Sequence, residues 1–362
     1  MNNRIKLIVT LGPSTKNESD LRRLKDNGVD FVRVNMSHSS IEDLEYFVAL
    51  ARKVGIPFII DTEGSQIRSD MIAHDAAYLE KGHMIKAYAV PTVGDAHSFS
   101  LRPGHILGQL AVGDILRVGF DSLALCVSDV TMLAEGYIVL RVHESGVLGS
   151  NKGIAVHSSA QKQFNLHPLT KKDHESIAIG LREQIGHLAA SFIRSGEYVD
   201  AMRKASNNSM KIISKVECAD ALLHIDDIIK RSDMILIDRG DLSKEIPVEK
   251  IPFVQKIILK KAREAGKEVF VATNLLETMV EKRSPTLAEV HDIVTTVRDG
   301  AAGVTLSAET AIGKHPIEAV MTMNRILKHA SLVLEHYPDK HKHDELARHL
   351  EQIGYLVKHH DT

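Results

Sequence analysis

The fold is decided by the stretch Lys211-Ile-Ile-Ser-Lys-Val-Glu217, in which a short apolar segment gives way to a lysine and a glutamate. Met210 to Ser214 has the apolar character of a strand, so Lys215 and Glu217 are expected where that strand ends. Because these two residues are two positions apart on an extended chain, their side chains point to the same side. Asp241 follows the next apolar run, and two carboxylates from adjacent strand ends can hold Mg²⁺ or Mn²⁺ with positions left open for substrate. The stretch therefore predicts metal-assisted chemistry on a small anion.

The same strand-then-helix unit repeats on both sides of that stretch. We predict strands at Ile5–Leu11, Phe31–Asn35, Pro57–Asp61, His187–Phe192, Met210–Ser214, Met234–Ile237, Glu268–Ala272 and Gly303–Leu306. We predict helices at Glu18–Asp26, Ile41–Val54, Lys171–Gln184, Glu197–Ala205, Ala219–Lys230, Phe253–Ala265, Leu287–Arg298 and Pro316–Leu334. Eight such units in roughly 270 residues predict an α/β fold, the eightfold (β/α)8 TIM barrel. An open doubly wound sheet is the competing architecture, and it is disfavoured because no Gly-x-Gly-x-x-Gly turn follows the first strand.

The pattern changes between residues 69 and 163, where short alternating runs are broken by Gly and Pro and no helix of normal length is evident. This segment predicts a small all-β insert. We therefore divide the chain into a barrel (1–68 and 164–335), a lid (69–163) and a tail (336–362). The tail contains a predicted amphipathic helix, Asp344–Lys358, which is expected to pack on the barrel or on a second subunit of a homo-oligomer. The six histidines between His336 and His360 are interpreted as a solvated polar face rather than a metal site.

Composition excludes several classes of protein. The 362 residues carry 45 basic and 47 acidic side chains, so the formal net charge is 45 − 47 = −2, and no basic field favours nucleic acid or an acidic membrane. No apolar run approaches membrane-spanning length, and the N-terminus lacks the pattern of a signal peptide. Cys126 and Cys218 lie in no paired-cysteine motif, so neither a disulfide framework nor a zinc site is expected. We expect a cytoplasmic protein with no nucleic-acid or membrane partner.

Polar residues gather where the predicted strands end, which is where eightfold barrels carry their chemistry. Strand by strand they are Thr10, Gly12 and Ser14; Arg33, Asn35, Ser37 and His38; Asp61, Thr62, Glu63 and Arg68; Arg194; Lys215 and Glu217; Asp238, Arg239 and Asp241; Thr273 and Asn274; and Ser307, Glu309 and Thr310. For Asp238 or Glu309 alone, a helix cap or a surface position is an equally good interpretation. Taken together, Lys215, Glu217 and Asp241 favour a site.

Several of these residues belong to longer motifs that occur in a fixed order. The motifs are Thr10-Leu-Gly-Pro-Ser14, Arg33-Val-Asn-Met-Ser-His38, Asp61-Thr-Glu-Gly64, Leu148-Gly-Ser-Asn-Lys-Gly153, Ala190-Ser-Phe-Ile-Arg194, Ile212-Ile-Ser-Lys-Val-Glu217, Arg239-Gly-Asp-Leu242, Ala272-Thr-Asn-Leu-Leu-Glu277 and Leu306-Ser-Ala-Glu-Thr-Ala311. From Lys6 to about Leu327 the chain resembles pyruvate kinase. The resemblance implies phosphoryl transfer between phosphoenolpyruvate and ADP to give pyruvate and ATP, with the all-β insert as a mobile lid over the nucleotide.

The resemblance also implies a role for each matching residue. Glu217 and Asp241 would hold the Mg²⁺ or Mn²⁺ ion, and Lys215 would neutralise charge on the phosphoryl group in transfer. Thr273 would bind the carboxylate end or direct protonation of the enolate, and backbone N–H groups at Gly240 and Asp241 would bind the substrate carboxylate. The remaining assignments are K⁺ to Asn35, Ser37, Asp61 and the Thr62 carbonyl, and the phosphates of ADP or ATP to Arg33, His38, Arg68 and Lys152. Arg33 is counted with Lys215 and Thr273 among the catalytic residues.

The chain departs from the family pattern at several positions. Glu63, Ser65 and Gln66 stand where the family has Lys, Pro and Glu or Lys, which reverses a charge near the nucleotide and leaves K⁺ dependence open. The lid run Val118-Gly-Phe-Asp121 replaces an acidic pair, Asp238 replaces a small residue, and Ser243 and Ala308 replace glycines. The family usually adds a C-terminal α/β domain that binds sugar-phosphate effectors, and this sequence has only the tail helix, so such regulation is not expected.

Two other functions stay open from the sequence. A metal-dependent enolate enzyme, such as an aldolase, lyase or transferase acting on phosphoenolpyruvate, pyruvate or another 2-keto acid, would keep Lys215, Glu217 and Asp241 but would need little from Lys152 or Arg68. A non-catalytic binding protein would have no need to keep both metal carboxylates.

Overall fold

The computed structural model describes residues 4–119, 123–158 and 164–336. Its strands are β1 (Lys6–Thr10), β2 (Phe31–Asn35), β3 (Phe58–Asp61), β4 (Arg68–Ser69), β5 (Ala76–Leu79), β6 (Met84–Tyr88), β7 (Ser98–Arg102), β8 (Ile115–Val118), β9 (Ala124–Asp129), β10 (Tyr137–Glu144), β11 (Gly146–Gly149), β12 (Ile154–His157), β13 (His187–Ala190), β14 (Lys211–Val216), β15 (Met234–Asp238), β16 (Glu268–Ala272) and β17 (Gly303–Leu306). Its α-helices are α1 (Glu18–Asp26), α2 (Ile41–Val54), α3 (Lys171–Arg182), α4 (Gly196–Ala205), α5 (Ala219–Leu223), α6 (Ile225–Arg231), α7 (Arg239–Leu242), α8 (Ile251–Glu264), α9 (Leu287–Arg298), α10 (Ala308–Ala311) and α11 (Pro316–His336).

Within these residues, eight parallel strands close into a barrel, which confirms the predicted α/β fold. The order around the barrel is β1-β17-β16-β15-β14-β13-β3-β2. The lower interior is filled by apolar side chains, namely Ile8, Ile59, Ala189, Ile213, Met234, Leu236, Phe270 and Ala272. Polar side chains replace them at the carboxyl ends of the strands, so the barrel has an apolar floor and a polar mouth.

Local signals set several helix boundaries where the sequence predicts them. The Ser40 side chain accepts a hydrogen bond from the Asp43 backbone N–H and begins α2, while Gly55 ends that helix in the left-handed conformation with a φ of 70°. Capping boxes at Thr170 and Thr286 begin α3 and α9 in the same way. Side-chain oxygens at these positions satisfy N–H groups that have no partner inside the helix.

Several predicted elements begin or end one or two residues away from the observed bounds, and two differences bear on the site. Strand β14 runs on to Val216, which pairs with Ile237, so Lys215 lies within the strand rather than beyond its end. The neighbouring strand β15 supplies backbone partners that the local sequence does not reveal. The helix predicted at Ala219–Lys230 is in fact two helices, α5 and α6, because His224 between them adopts a non-helical ψ of 19°.

The insert forms a second body of strands. Seven strands pair in the order β12-β8-β9-β10-β6-β7-β4, and β11 pairs with β5. Their shared core includes Ile85, Phe99 and Leu116. The described part of the insert contains 3₁₀ turns but no α-helix. Arg68 pairs with Gly153, so the start of the insert lies beside the residues that precede β12.

Some predictions fall on other parts of the chain. Asp121 in the lid and the tail helix at Asp344–Lys358 lie outside the described residues, and the domain boundaries stay predictions.

Among the described helices, none combines the length and apolarity needed to cross a membrane. Cys126 and Cys218 are free thiols.

Asp173 fastens the loop after β3 to the start of α3. Its buried carboxylate accepts hydrogen bonds from the backbone N–H groups of Glu63 at 2.8 Å, Gly64 at 3.2 Å and Thr170 at 3.0 Å. We expect Asp173→Ala to lower the free energy of unfolding by about 3 kcal/mol, because these donors lose a charged acceptor. Urea denaturation measures this loss. The matched control is Asp43→Ala, which removes an exposed capping carboxylate and is expected to cost about 1 kcal/mol or less; equal losses in the two variants would contradict the account.

Candidate active site

The ammonium group of Lys215 lies at the centre of the barrel mouth. The residue is 3% exposed, and its Nζ lies 2.7 Å from Glu217 Oε1 and 3.1 Å from Asp61 Oδ1. Lys215 and Glu217 thus lie on the same side of the chain, as their spacing predicts. Burial alone would lower the pKa of Lys215, but Asp61, Glu217 and Asp238 outweigh it and raise that pKa. The mouth therefore holds a permanent cation at neutral pH.

Arg33 is a second buried cation beside the first. Its NH1 lies 2.9 Å from Asp61 Oδ2, its Nε donates to Thr10 Oγ1 at 2.8 Å, and its NH2 donates to Ser307 Oγ at 3.1 Å. Asp61 is 0% exposed and lies between Arg33 and Lys215. Because neighbours on β1 and β3 and the residue that follows β17 fix it, the guanidinium is positioned in advance of any ligand.

Three carboxylates, from Glu217, Asp238 and Asp241, present oxygens that lie within 4.8 Å of one another. Glu217 directly follows β14, Asp238 ends β15, and Asp241 lies in the short helix α7. A set of carboxylate oxygens suits Mg²⁺ or Mn²⁺. Asp238 is 5% exposed and its side chain caps no helix, so the surface and helix-cap interpretations of this residue are wrong. Its place directly after the apolar run of β15 is the signal that predicts a position at a strand end, but the resemblance does not assign this residue to the metal.

The carboxylate of Glu217 is fixed and electrostatically strained. Its Oε2 accepts a hydrogen bond from the Phe192 backbone N–H at 2.7 Å. Burial, together with the nearby carboxylates of Asp238 and Asp241, raises the pKa of Glu217 to about 8 despite the attraction of Lys215. A divalent ion placed among these carboxylates would remove that repulsion.

The raised pKa of Glu217 makes stability depend on pH in protein freed of metal by a chelator. In the folded protein the Glu217 carboxyl keeps its proton up to a pH of about 8, whereas in the unfolded chain it releases the proton near the ordinary glutamate pKa. Protonated Glu217 therefore stabilises the fold fully below the ordinary pKa, and this contribution is lost as the pH rises toward 8. We expect the free energy of unfolding to fall over this window by up to about 1.4 kcal/mol per pH unit. Urea denaturation at several pH values measures the slope. Glu217→Gln should remove this component, and an unchanged slope in that variant would contradict the assignment.

Thr273 lies at the end of β16 in an uncommon backbone conformation, with a φ of 68°. Arg239 holds that turn by donating to the carbonyl oxygens of Thr273 at 2.7 Å and Asn274 at 3.0 Å. The Thr273 Oγ1 accepts the Gly240 backbone N–H at 2.7 Å, and its own hydrogen has two acceptors in reach, the Ala272 carbonyl oxygen at 2.6 Å and Asp238 Oδ1 at 3.2 Å. The Gly240 N–H that the resemblance assigns to a substrate carboxylate is thus donated to Thr273 in this structure.

The residues assigned to a monovalent cation meet at the ends of β2 and β3. Asn35 and Asp61 are direct neighbours in the strand register. Asn35 Oδ1 accepts the Ser37 backbone N–H at 2.9 Å. The Thr62 hydroxyl accepts the backbone N–H of Ser191 at 2.9 Å. The Ser191 hydroxyl also donates a hydrogen bond to Asp61 at 3.2 Å and accepts one from the Lys215 ammonium at 3.0 Å. The motif Ala190-Ser-Phe-Ile-Arg194 did not predict that Ser191 links these residues.

Gly64 allows the loop after β3 to pass against the backbone that follows β13. Its φ is +65°, and a Cβ at this position would lie 2.7 Å from the Ser191 carbonyl oxygen. Any other residue would clash there and be strained in that conformation. The glycine of the Asp61-Thr-Glu-Gly64 motif is therefore explained by close packing.

The residues assigned to nucleotide phosphates lie at the edge of the mouth. Desolvation, and then the positive charge of Arg68, lowers the pKa of His38. Arg68 NH1 donates to the Asn151 carbonyl oxygen at 3.0 Å. Lys152 is exposed on the turn between β11 and β12, and its backbone N–H donates to Ser69 Oγ at 2.9 Å. Arg68 thus contacts the turn that carries Lys152, and Lys152 itself lies on the insert side.

A cleft of about 440 Å³ separates the barrel mouth from the insert. Glu217 and Asp241 line it from the barrel, and Ile154 to Ser158 line it from the insert side. The volume suits a small ligand. The carboxylates of Glu217 and Asp241 therefore face a space in which a substrate can bind between the barrel and the insert.

The fold and the mouth define the class: a (β/α)8-barrel enzyme whose buried lysine, arginine and carboxylates lie at the carboxyl ends of the strands. Residues 2–320 match the family model described as "Pyruvate kinase, barrel domain". The chain belongs to the pyruvate kinase family, whose members are phosphotransferases.

Individual relatives agree with the family match. The chain is 35% identical over 329 residues to a pyruvate kinase of Methylorubrum extorquens, covering 89% of this chain and 68% of the relative. It is 32% identical to a pyruvate kinase of Geobacillus stearothermophilus, covering 93% of this chain and 58% of the relative. A solved structure of a pyruvate kinase from Cryptosporidium parvum superposes with a TM-score of 0.81 at 30% identity, covering 91% of this chain and 69% of that one. The chain thus spans between 58% and 69% of the length of these three proteins.

Proposed function

We propose that the protein transfers a phosphoryl group between phosphoenolpyruvate and ADP, giving pyruvate and ATP. The observation that carries this proposal is the Lys215 ammonium, which lies between Asp61 and Glu217 and next to two further carboxylates at an open cleft. A fixed cation beside a metal-type donor set is what transfer of a phosphoryl group requires, because charge must be neutralised while the group moves.

The donor chemistry of the mouth fits the ions that the family implies. Glu217 and Asp241 would hold Mg²⁺ or Mn²⁺, since their oxygens lie close enough to share one ion and belong to the carboxylate type that such ions prefer. When bound, the ion would neutralise charge on the phosphoryl group and the enolate oxygen. Asn35, Ser37, Asp61 and the Thr62 carbonyl would hold K⁺, because they offer an all-oxygen set at two adjacent strand ends.

The protein's own side chains would do the rest. Lys215 and Arg33 would stabilise negative charge on the phosphoryl oxygens, and both are already fixed by Asp61. The Thr273 hydroxyl would direct a proton to the carbon of the enolate after transfer, since Gly240 N–H and Asp238 orient it. Closure of the insert over the cleft would exclude water and favour ADP over water as the acceptor.

The nucleotide side is the part of the site that departs most from the family. Arg68, His38 and Lys152 would contact the phosphates together with Arg33. Glu63 stands where the family has a lysine, and it lies 3.9 Å from Lys172, which partly offsets its charge. We therefore propose weaker nucleotide binding than in relatives that carry the lysine.

An assay of pyruvate formation tests the proposal. Phosphoenolpyruvate and ADP are supplied with Mg²⁺, with and without K⁺, and pyruvate is measured by a coupled dehydrogenase. Pyruvate that appears only with ADP supports phosphoryl transfer. Turnover without nucleotide, or with an aldehyde acceptor instead, would indicate a metal-dependent enolate enzyme, an alternative that family membership does not favour. Binding of substrate without any turnover would indicate a non-catalytic protein.

We also propose that the protein forms a homo-oligomer. Helix α8 exposes Phe253 by 69% and Ile257 by 53%, one helical turn apart, and Val248 before it is 73% exposed. Apolar side chains grouped in this way favour a protein contact. Light scattering on the purified protein gives its mass in solution, and a monomeric mass at all concentrations would contradict this part.

A further inference from the structure

Asp238 is held at the mouth but only loosely neutralised. It is 5% exposed, and its Oδ1 accepts the Thr273 hydroxyl at 3.2 Å. Its Oδ2 lies 3.9 Å from Lys215 Nζ, the longest of the three ion pairs that this lysine makes. That distance exceeds a hydrogen bond, so only a long ion pair links Asp238 to Lys215. One of the Asp238 carboxylate oxygens lies within 4.8 Å of the Glu217 and Asp241 oxygens.

The other charges of the mouth pair off without Asp238. The closest cation–carboxylate pairs are Arg33 with Asp61 at 2.9 Å, Lys215 with Glu217 at 2.7 Å, and Lys244 with Asp241 at 2.6 Å. Three cations thus face three carboxylates, and Asp238 is a fourth carboxyl group without a close cation of its own. It lies within 4.8 Å of the Glu217 and Asp241 oxygens that would share the divalent ion.

We propose that Asp238 is a third carboxylate ligand of the divalent ion, and that it shifts the mouth toward binding cations at the expense of anions. The affinity of a site for a divalent cation rises with the number of charged ligands. The same fixed charge repels an anionic substrate in a site that water screens only partly. The part of this proposal that concerns anions rests on the proposed function, whereas the part that concerns metal does not.

Binding of Mn²⁺ without substrate or nucleotide tests the first part. We expect Asp238→Ala to weaken Mn²⁺ binding by about 10- to 100-fold in isothermal titration calorimetry, because a ligand and its charge are lost. Asp238→Asn keeps the shape and the acceptor for Thr273, so it should follow Asp238→Ala if charge is the cause. Asp226→Ala is the control, since Asp226 is an exposed carboxylate on α6 that pairs with Lys261 of α8. Unchanged Mn²⁺ affinity in Asp238→Ala would overturn the proposal.

Binding of phosphoenolpyruvate at saturating Mn²⁺, measured by calorimetry without ADP, tests the second part. We expect both Asp238 variants to bind it about 5-fold more tightly than the wild type, because one repelling charge is removed. In both variants the affinity for Mn²⁺ should thus fall while the affinity for phosphoenolpyruvate rises. Weakening of both ligands would show a general disturbance of the mouth and overturn the proposal. The wild-type protein could bind no phosphoenolpyruvate while its Mn²⁺ binding still depends on Asp238. That result would refute the proposed function and leave Asp238 as a metal ligand.

Discussion

Replacing Lys215 with methionine is expected to lower kcat for phosphoryl transfer by about 10³-fold or more, because the main cation that neutralises the moving group is lost. Coupled pyruvate formation from phosphoenolpyruvate and ADP measures this loss. The matched control is Lys211→Met in the same strand, since Lys211 is exposed at the opposite end of β14. Near-normal turnover in Lys215→Met would remove this lysine from the mechanism.

The same variant should separate chemistry from metal binding. Glu217 and Asp241 keep their positions in Lys215→Met, so Mn²⁺ binding is expected to survive. The metal-free variant should be less stable by about 3 kcal/mol, since buried carboxylates lose the cation that pairs with them. Added Mn²⁺ should restore much of that stability, because the ion supplies the missing positive charge. Denaturation with and without Mn²⁺ measures both effects, and a variant that loses Mn²⁺ binding altogether would contradict this separation.

Replacing Glu217 with glutamine is the second change with a large expected effect. Glutamine has nearly the same shape and its oxygen can still accept the Phe192 N–H, but it brings no charge to a divalent ion. We expect Mn²⁺ affinity to fall by at least about 10-fold and kcat by about 10³-fold. Calorimetry and the coupled assay measure the two losses.

Glu309→Gln is the control for this experiment. Glu309 is also a buried carboxylate at a strand end, 1% exposed, and it accepts backbone N–H groups from Leu276 and Ser307. It lies outside the carboxylate group of Glu217, Asp238 and Asp241. Its variant should lose about 1–3 kcal/mol of stability and keep its Mn²⁺ affinity. Equal losses of Mn²⁺ affinity in the Glu217 and Glu309 variants would contradict the assignment of Glu217 as a ligand of the ion.

The barrel could be predicted because its signals are local. Apolar strand runs, capping side chains such as Ser40 and Thr170, and the left-handed Gly55 each act over a few residues. Their order along the chain then leaves few topologies to consider. The spacing of Lys215 and Glu217 belongs to the same class of signal, since two residues on a strand share a side whatever surrounds them.

Other features of the site depend on partners distant in the chain, and local sequence does not contain them. Lys215 lies inside β14 because β15 extends the pairing to Val216. Asp238 is buried because Thr273 and Lys215 close over it from neighbouring strands. Ser191 links Asp61, Thr62 and Lys215 only once β3, β13 and β14 lie side by side. In each case the polar residue type suggests a site, while the contact that gives it a role comes from tertiary packing.

The central claim is that Glu217 and Asp241 hold one divalent ion beside the ammonium of Lys215. Anomalous diffraction from crystals grown with Mn²⁺ tests it most directly. The account predicts a single strong peak at the barrel mouth, in coordination distance of a Glu217 oxygen and an Asp241 oxygen. A peak at another place on the protein, with the mouth empty at a saturating Mn²⁺ concentration, would contradict it.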